Sequence, residues 1–382
     1  MSSQGRAPRI WQVLGDKRGD NGQVEVIAEA LARQRGWTSE LRHLEMRSRY
    51  VFGKPRVGPT LYHLDPERSD ALAPPWPDLI LTSGRRPANA ALWIKQQSGG
   101  RSRIVLVGKP SGWMAHFDLI ITSAETLPAP FPNVMHIGLP LMQLDPARLK
   151  AGGAEWEQAF AALPRPLVAF LIGGPTNPFV YNSTVVRRLR DRIDQVLASG
   201  GTPYLVGSRR TPPRFMQRLR RDLPAAVQVY DWNDPQDGNP YAGLLALSDR
   251  FVVTGDSISM QVEVARLGRP LEILPLPTGV FGGLDNGRRR LAAWLFQPPR
   301  DASPREQTRI TTARALYHLR LLQQTRHFPR FHQMLVDQGL ACWAGDDTDM
   351  AGAGGDPDCA GSQTEQDLQR ILEQIDRLLP EI

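Results

Sequence analysis

The sequence predicts an α/β protein with two Rossmann-like domains that face a central cleft, and with C-terminal helices that pack back on them. Its 382 residues exceed one ordinary domain, since domains usually hold roughly 100 to 200 residues. Short apolar runs alternate with stretches of helical periodicity in both halves of the chain. This alternation is typical of parallel, doubly wound sheets.

Residues 1–145 form the first predicted domain. The apolar run Ile10–Leu14 precedes a Gly- and Asp-rich segment, residues 15–22, and then apolar residues at helical spacing from Val24 to Leu31. This order predicts a strand, a loop and a helix. Further strands are predicted at 79–81, 104–107 and 119–121, and a helix with a proline start at 87–97.

A charged, alanine-rich stretch, residues 146–165, is predicted as the interdomain linker. Residues 166–300 form the second predicted domain, because strands and helices alternate again there. Its strands are predicted at 167–172, 204–206, 227–230, 251–254 and 271–274, and its helices at 183–197, 213–221, 240–246 and 257–267.

Residues 301–344 are predicted to form C-terminal helices, and residues 345–382 a flexible linker followed by a terminal helix. The linker prediction rests on the Gly and Asp content of residues 345–361. The terminal helix, residues 365–379, is amphipathic. Its apolar face favours a contact within the protein or across a dimer over a membrane anchor.

The formal charge is +7, from 46 basic and 39 acidic residues, which suits phosphates, an anionic lipid surface or nucleic acid. The arginine clusters are short, and no RNP or zinc-finger pattern accompanies them, so no nucleic-acid partner is expected. The two cysteines, Cys342 and Cys359, are too few for a disulfide scaffold.

The N-terminal residues are polar, and no apolar run reaches the roughly 18 residues of a membrane span. We therefore expect a cytoplasmic protein that touches a membrane only peripherally, at its inner face.

The most informative segment is 251–270, where a buried strand ends at Gly255 and small polar residues begin a helix. Free backbone N–H groups and the helix dipole make such a start a phosphate site, with Asp256, Ser257 and Ser259 beside the ligand. The alternative is that Asp256 or Ser257 only caps the helix.

Glu263 lies about two turns into that helix. A carboxylate beyond a phosphate-binding helix start can accept hydrogen bonds from ribose hydroxyls. The alternative is a solvated helical glutamate. The spacing and the following Gly268-Arg269-Pro270 favour the ribose site.

Two further loops follow strands of the second domain and should reach the same sheet edge. Arginine suits bidentate contacts with diphosphate, which favours Arg209 and Arg210 as phosphate ligands. The alternative for both is an ordinary solvated charge. The predicted phosphate-side ligand residues of these loops are Gly173, Gly174, Thr176, Ser208, Arg209 and Arg210.

The first loop lies at the carboxyl end of a strand, where open α/β sheets place ligands. Asp16 or Asp20 would be the general base if desolvated in a cleft, and solvated turn aspartates are the alternative. The other predicted ligand residues of this loop, on the side opposite the phosphate site, are Gly15, Gly19, Asn21 and Gln23. We call them the acceptor-side residues.

The chain lacks the Walker A, GxGxxG, HExxH and GxSxG patterns. From motifs we therefore predict no ATPase or dehydrogenase activity, and no metal-dependent or serine hydrolase activity. We also predict no metal site.

An ordered set of motifs resembles the Elongated Mitochondria (mitochondrial fission) family. The resemblance spans roughly residues 10 to 344. The motifs are Gly15-Asp-x-x-Gly19 with Gln23, Leu171-Ile-Gly-Gly174, Ser208-Arg-Arg-Thr-Pro212, Asn239-Pro-Tyr241, Val253-Thr-Gly-Asp-Ser-Ile-Ser-Met260 and Arg330-Phe-His332.

The resemblance implies a GT-B glycosyltransferase-like fold, and bacterial members have also been labelled nucleoside-diphosphate-sugar epimerases. The segment from Ser257 to Pro270 is also similar to the donor-site helix of GT-B enzymes such as the peptidoglycan lipid-linked N-acetylglucosaminyltransferase. There the matching glutamate binds the ribose of a uridine donor, so the resemblance favours a UDP-sugar.

The sequence thus leads us to expect a sugar-nucleotide-dependent glycosyltransferase, inverting and metal-independent, with a nucleotide sugar as co-substrate and no other cofactor. Its expected acceptor is a lipid-linked or other cell-envelope glycan. The alternatives are a non-catalytic GT-B-like scaffold in membrane remodelling and a nucleoside-diphosphate-sugar epimerase.

Overall fold

The chain folds into two α/β units, each built around a six-stranded parallel sheet. In this computed structural model, the described residues are 6–16, 18–47, 58–108, 114–142, 144–221, 223–234, 238–279, 286–319, 321–322, 325–345 and 357–379. Unit 1 comprises Met1–Gln143, Arg288–His327 and Gln363–Ile382, and unit 2 comprises Leu144–Gly287 and Phe328–Ser362. The predicted α/β class with two Rossmann-like units is confirmed.

The strands of unit 1 are β1 Ile10–Leu14, β2 Ser39–His43, β3 Leu79–Ser83, β4 Arg103–Val107, β5 Leu119–Thr122, β6 Thr126–Leu127, β7 Val134–His136 and the short β13 Thr325–Arg326, which pairs with β6. The sheet order is β2-β1-β3-β4-β5-β7, so the order reverses between β1 and β3. The sequence analysis missed β2, because Ser39-Glu-Leu-Arg-His lacks an apolar run and forms a partly exposed edge strand.

Helices cover both faces of this sheet, and they include α1 Arg18–Arg35, α2 Arg85–Gln97, α8 Asn286–Leu295, α9 Pro304–His318 and α11 Pro357–Leu378. Alternate strand residues separate the two faces: Trp11 and Val13 pack with α2, α8 and α9, whereas Ile10 and Leu14 pack with α1 and α11. The C-terminal helices therefore do pack back on the first sheet.

The apolar face of α11 is buried within unit 1. Leu368, Ile371, Leu372 and Ile375 share a core with α1, which is the intramolecular contact that its periodicity favoured. The helix begins at Pro357, inside the predicted linker, and residues 346–356 of that segment lie outside the described residues.

The strands of unit 2 are β8 Leu167–Ile172, β9 Thr202–Gly207, β10 Gln228–Tyr230, β11 Arg250–Thr254, β12 Leu271–Leu274 and β14 Cys342–Trp343. Their order is β10-β9-β8-β11-β12-β14, the 3-2-1-4-5-6 order of dinucleotide-binding folds. Its helices include α3 Pro146–Ala161, α4 Ser183–Ala198, α5 Pro213–Arg221, α6 Tyr241–Leu247, α7 Ile258–Arg266 and α10 Phe328–Asp337.

Most of the segment predicted as the linker, residues 146–165, is helix α3 of unit 2. Asp145 caps its first turn by accepting hydrogen bonds from the backbone N–H groups of residues 147 and 148. A Cβ on Gly152 would come within 2.5 Å of the Cβ of Ala242 in α6. The small residues that suggested a linker therefore serve close helix packing.

A buried ion pair links α4 to the sheet of unit 2. Arg192 Nε donates to Glu272 Oε2 at 2.6 Å and Nη2 donates to Oε1 at 2.5 Å. The Glu272 side chain is 2% exposed. The carboxylate, which points into the core from β12, is thus neutralised by a bidentate partner.

Among the described helices, none combines the length and the apolar character that crossing a bilayer requires.

Candidate functional site

The carboxyl ends of β8, β9 and β11 meet at one edge of the unit 2 sheet. The two neighbours of β8 in this sheet are β9 and β11, so the order reverses between β8 and β11. In open α/β folds this reversal point is where ligands bind. The structure therefore brings the three predicted loops of unit 2 together.

Asp256 joins the loops after β8 and β11. Its Oδ2 accepts a hydrogen bond from the backbone N–H of Gly174 at 2.8 Å, and Oδ1 accepts one from the hydroxyl of Tyr181 at 2.7 Å. The residue is 2% exposed, and burial raises the pKa of its carboxyl, against the lowering effect of the bond from Tyr181. Asp256 is thus a structural tie beneath the site.

The two glycines after β8 are required by close packing. A Cβ on Gly173 would lie 2.6 Å from Oδ2 of Asp256, and one on Gly174 would lie 2.3 Å from the backbone oxygen of Arg210. The N–H of Gly173 donates to Oγ1 of Thr254 at 2.8 Å. A side chain at either glycine would therefore collide with the loop after β11 or the loop after β9.

The β9 loop is held to β8 by hydroxyl groups. Ser208 Oγ donates to the oxygen of Gly173 at 3.0 Å, and the N–H of Ser208 donates to Oγ1 of Thr211 at 2.8 Å. Both anchors lie at the base of the loop, so its tip has a defined position.

Two exposed arginines project from that tip. Arg210 Nη1 donates to Oγ1 of Thr176 at 3.1 Å, and the Arg209 guanidinium lies 5.9 Å from the ring centroid of Trp232, a cation–π distance. These contacts orient both cations and leave them accessible to an anion.

The first turn of α7 presents backbone donors. Ser257 occupies the N-cap position but makes no capping hydrogen bond through its side chain, and Asp256 is engaged by Gly174 and Tyr181. The first N–H groups of a helix have no partner inside it. Ser257 is buried and Ser259 is exposed at this end.

Glu263 lies on α7 beside Tyr241, the first residue of α6. The Tyr241 hydroxyl donates to Oε2 of Glu263. Burial raises the pKa of the Glu263 carboxyl, and the bond from Tyr241 and the charge of Arg148 oppose this rise. Glu263 is half-buried and held by a partner, so it is not a freely solvated helical glutamate.

His332 of α10 closes the other side of the β11 turn. A Cβ on Gly255 would lie 3.1 Å from Cε1 of His332. The imidazole is 4% exposed and packs against Phe328, Phe331 and Trp343. Burial lowers its pKa to about 4, so the ring is neutral at pH 7.

The predicted acceptor-side loop is shorter than expected. Helix α1 begins at Arg18, so Gly19, Asp20, Asn21 and Gln23 are helical. Burying the apolar face from Val24 to Leu31 outweighs the roughly 1 kcal/mol by which each glycine disfavours a helix. The loop prediction for these residues was wrong.

The remaining turn is tightly packed. Asn21 Nδ2 donates to the backbone oxygen of Gly15 at 2.6 Å, and a Cβ on Gly15 would lie 3.1 Å from Cγ of Pro87. Asn21 therefore closes the turn. The side chain of Asp20 lies outside the described residues.

Asp16 remains accessible at the end of β1. It is exposed, and one ligand atom each of Asp16, His43 and Glu45 lies within 4.8 Å of the other two. Such a trio could hold a divalent cation, and exposed groups of this kind are also common without one. His43 ends β2 and Glu45 follows that strand, so both escaped the sequence analysis when β2 did.

Three other neighbours of the predicted residues also escaped it. Tyr181 reaches Asp256 across 75 positions, a pairing without local signal. Tyr241 and His332 stand in the motifs Asn239-Pro-Tyr241 and Arg330-Phe-His332, which could have marked them as site residues, although not with these partners.

Comparisons with known proteins extend these observations. A sequence model of the family described as Mitochondrial fission ELM1 matches residues 18–292. Mitochondrial fission protein ELM1 of Arabidopsis thaliana is 30% identical over 220 residues, which are 52% of this chain and 51% of that protein. The match thus spans about half the length of the plant relative.

Uncharacterized protein RP120 of Rickettsia prowazekii (strain Madrid E) is 23% identical over 303 residues, 70% of this chain and 83% of that protein. Among solved structures, the chain is similar to a glycosyltransferase from Rickettsia africae ESF-5. That structure is 12% identical with a TM-score of 0.46, and the match covers 97% of this chain and 98% of the other.

Proposed function

The chain belongs to the mitochondrial fission ELM1 family, and from this premise we propose that it is a glycosyltransferase with a nucleotide-sugar donor bound in unit 2. A UDP-sugar is the favoured donor, and a lipid-linked or envelope glycan is the acceptor. The observation that carries the proposal is the Glu263 carboxylate, held by Tyr241 on the helix whose uncapped start faces the sheet reversal point.

The donor would bind along α7. Its diphosphate would meet the first backbone N–H groups of α7 and the hydroxyls of Ser257 and Ser259, with Gly173, Gly174 and Thr176 forming the floor. The bond from Tyr241 occupies Oε2 of Glu263, and Oε1 would accept a hydrogen bond from the ribose. Proximity to the reversal point of the strand order supports this placement.

The exposed arginines supply the charge that transfer requires. As the bond between sugar and diphosphate breaks, negative charge grows on the leaving diphosphate. Arg209, Arg210 and the start of α7 would stabilise it without a metal ion. Ser208 would set the position of both arginines, because its side chain anchors their loop.

A carboxylate is the proposed general base. We propose Asp16 or Asp20, at the carboxyl end of β1, as the group that takes the proton from the acceptor hydroxyl. Attack from the face opposite the leaving group inverts the configuration at the anomeric carbon. Asp16 is exposed beside His43, so a bound acceptor would have to exclude water from it before it acts as the base.

Calorimetric titration with UDP, GDP and CMP sugars tests donor binding. We expect one class to bind and Glu263→Ala to weaken it about 10- to 150-fold, because a hydrogen bond to a charged group contributes about 1.5 to 3 kcal/mol. Glu157→Ala is the matched control, since Glu157 is an exposed glutamate on α3.

Binding to none of the nucleotides, or equal affinity in Glu263→Ala and Glu157→Ala, would refute the donor site. EDTA tests metal independence separately: an affinity lost with EDTA and restored by Mg²⁺ would contradict it. Transfer of a labelled sugar to membrane extracts, absent in Asp16→Asn, tests the base.

A scaffold without turnover is the second candidate, and the name of the plant relative supports it. It predicts a specific partner in pull-downs from cells and no transfer of the labelled sugar under any condition tested.

A further inference from the structure

Unit 1 exposes several large apolar side chains in a segment that contains none of the predicted site residues. Seven such side chains are exposed among the described residues, and four of them lie between residues 291 and 321. Leu291 is 46% exposed, Trp294 56%, Leu319 67% and Leu321 60%. Apolar side chains gathered on a surface mark a contact.

The outward face of α8 combines apolar and cationic residues. Arg290, Leu291 and Trp294 share this exposed face at helical spacing, while Ala292 and Leu295 on the opposite side enter the core. The α8 sequence, Asn-Gly-Arg-Arg-Arg-Leu-Ala-Ala-Trp-Leu, therefore places a tryptophan within one turn of a cation.

The end of α9 adds two more exposed leucines to unit 1. Leu322 packs in the same core as Ala292 of α8, and Leu319 and Leu321 beside it remain exposed. We call Arg290, Leu291, Trp294, Leu319 and Leu321 the α8–α9 surface.

A cavity of about 470 Å³ adjoins Trp294. Thr308 and Thr312 of α9 line it, together with the exposed Arg300 and Arg305. Trp294 and Leu295 give the cavity apolar surface, and the exposed Arg300 and Arg305 line it beside the ion pair of Glu306 with Arg309. An anionic headgroup suits the two exposed arginines, and an acyl chain suits the apolar surface.

The two helices form a firm base for this surface. The buried Arg309 donates to the backbone oxygen of Trp294 at 3.2 Å and to that of Gln297 at 3.0 Å, and it pairs with Glu306. Docking therefore needs no ordering of the hairpin, which lowers its entropic penalty.

We propose that the α8–α9 surface docks on an anionic phospholipid bilayer. Trp294 would lie at the headgroup level, Leu291, Leu319 and Leu321 would enter the acyl boundary, and Arg300 and Arg305 would hold lipid phosphates in the cavity. Tryptophan is enriched at membrane interfaces, and arginines beside it suit anionic lipids.

Several features favour a bilayer over a protein partner. Exposed apolar and cationic residues follow one another along α8 and the start of α9, and these two kinds of group match the layered acyl and phosphate chemistry of a membrane. The net charge of +7 adds attraction to anionic lipid. The surface lies within unit 1, so the proposal stands independently of donor binding in unit 2.

Vesicle co-sedimentation of the full chain tests the proposal. We compare phosphatidylcholine vesicles with vesicles in which phosphatidylglycerol replaces part of the phosphatidylcholine, at low and high salt. We expect at least about tenfold stronger binding to the anionic vesicles, and a decrease at high salt.

The decisive variant is Leu291→Ser/Trp294→Ala, and its matched control is Leu41→Ser, an exposed leucine on β2 of the same unit. We expect the double variant to lose about tenfold or more in affinity for anionic vesicles, whereas the control binds like the parent. Circular dichroism and unfolding curves verify that both variants fold.

Three results would overturn the proposal. They are equal binding to both vesicle types, unchanged binding of the folded double variant, and a parent that binds neither vesicle. Light scattering adds another: a dimer that the double variant abolishes, with no vesicle binding by the parent, would assign the surface to a second copy of the chain.

Discussion

Replacing Asp256 with alanine should destabilise unit 2. Asp256 accepts hydrogen bonds from the N–H of Gly174 at 2.8 Å and from the hydroxyl of Tyr181 at 2.7 Å. Asp256 and Gly174 are buried, and Tyr181 is half-buried. Alanine would leave the N–H of Gly174 without its acceptor and the hydroxyl of Tyr181 with only the longer bond to Oγ1 of Thr254, at 3.2 Å.

The size of the effect follows from these two bonds. A buried donor left unpaired costs about 1 to 3 kcal/mol, and the half-buried hydroxyl costs less. We expect Asp256→Ala to lower the free energy of unfolding by about 2 to 5 kcal/mol, a large part of a domain's stability. Asp256→Asn keeps an acceptor for Gly174 and should cost only about 1 kcal/mol.

The free energies of unfolding of the wild type and Asp256→Asn should differ more at low pH than at neutral pH. Burial raises the pKa of Asp256 in the folded protein, so protonation of the carboxyl adds stability beyond that of the two hydrogen bonds, and this addition is complete below the ordinary carboxyl pKa. It is lost as the pH rises through the raised value. Asp256→Asn removes this part of the pH dependence, which urea unfolding at several pH values measures.

A double-mutant cycle provides the test. Tyr181→Phe removes the hydroxyl that loses its carboxylate partner in Asp256→Ala. The double variant should therefore be less destabilised than the sum of the single changes, by about 1 kcal/mol or more. Urea unfolding followed by fluorescence and circular dichroism gives the four free energies. Strict additivity, or a loss below about 1 kcal/mol in Asp256→Ala, would refute the reasoning.

Two further predictions concern buried charge. Arg192→Met leaves the Glu272 carboxylate buried and unpaired, so we expect a loss of about 3 to 5 kcal/mol in urea unfolding, largely recovered in Arg192→Met/Glu272→Met; no recovery would contradict this. The pKa of His332 is lowered to about 4 by burial, so its stabilising contribution is complete above the unfolded pKa near 6.5 and is lost as the pH falls towards 4. Between pH 8 and pH 5 the wild type should lose about 2 kcal/mol more than His332→Gln, and parallel pH profiles of the two proteins would contradict the assignment.

Most strands and helices could be predicted from the sequence because burial in a parallel sheet leaves a local trace. The run Leu167–Ile172 is apolar throughout, as β8 is buried on both faces. Helix α4 combines the cap Asn182 with apolar residues at helical spacing. Where that trace was weak, as in β2 and the first turn of α1, the predictions failed.

The candidate site could be predicted as a set of loops but not as a set of contacts. Strand ends followed by glycine and small polar residues marked the loops after β8, β9 and β11. Asp256, however, was predicted as a ligand contact, and the structure engages both of its oxygens internally.

By itself, the sequence determined the two α/β series, the loops at their strand ends and the chemistry those loops can offer. Only the tertiary structure decided that Tyr181 meets Asp256, that Tyr241 meets Glu263 and that His332 lies against Gly255. Hydrophobic periodicity reports the burial of each residue within its own element. The order of strands in a sheet pairs residues far apart in the chain, and no local pattern encodes that order.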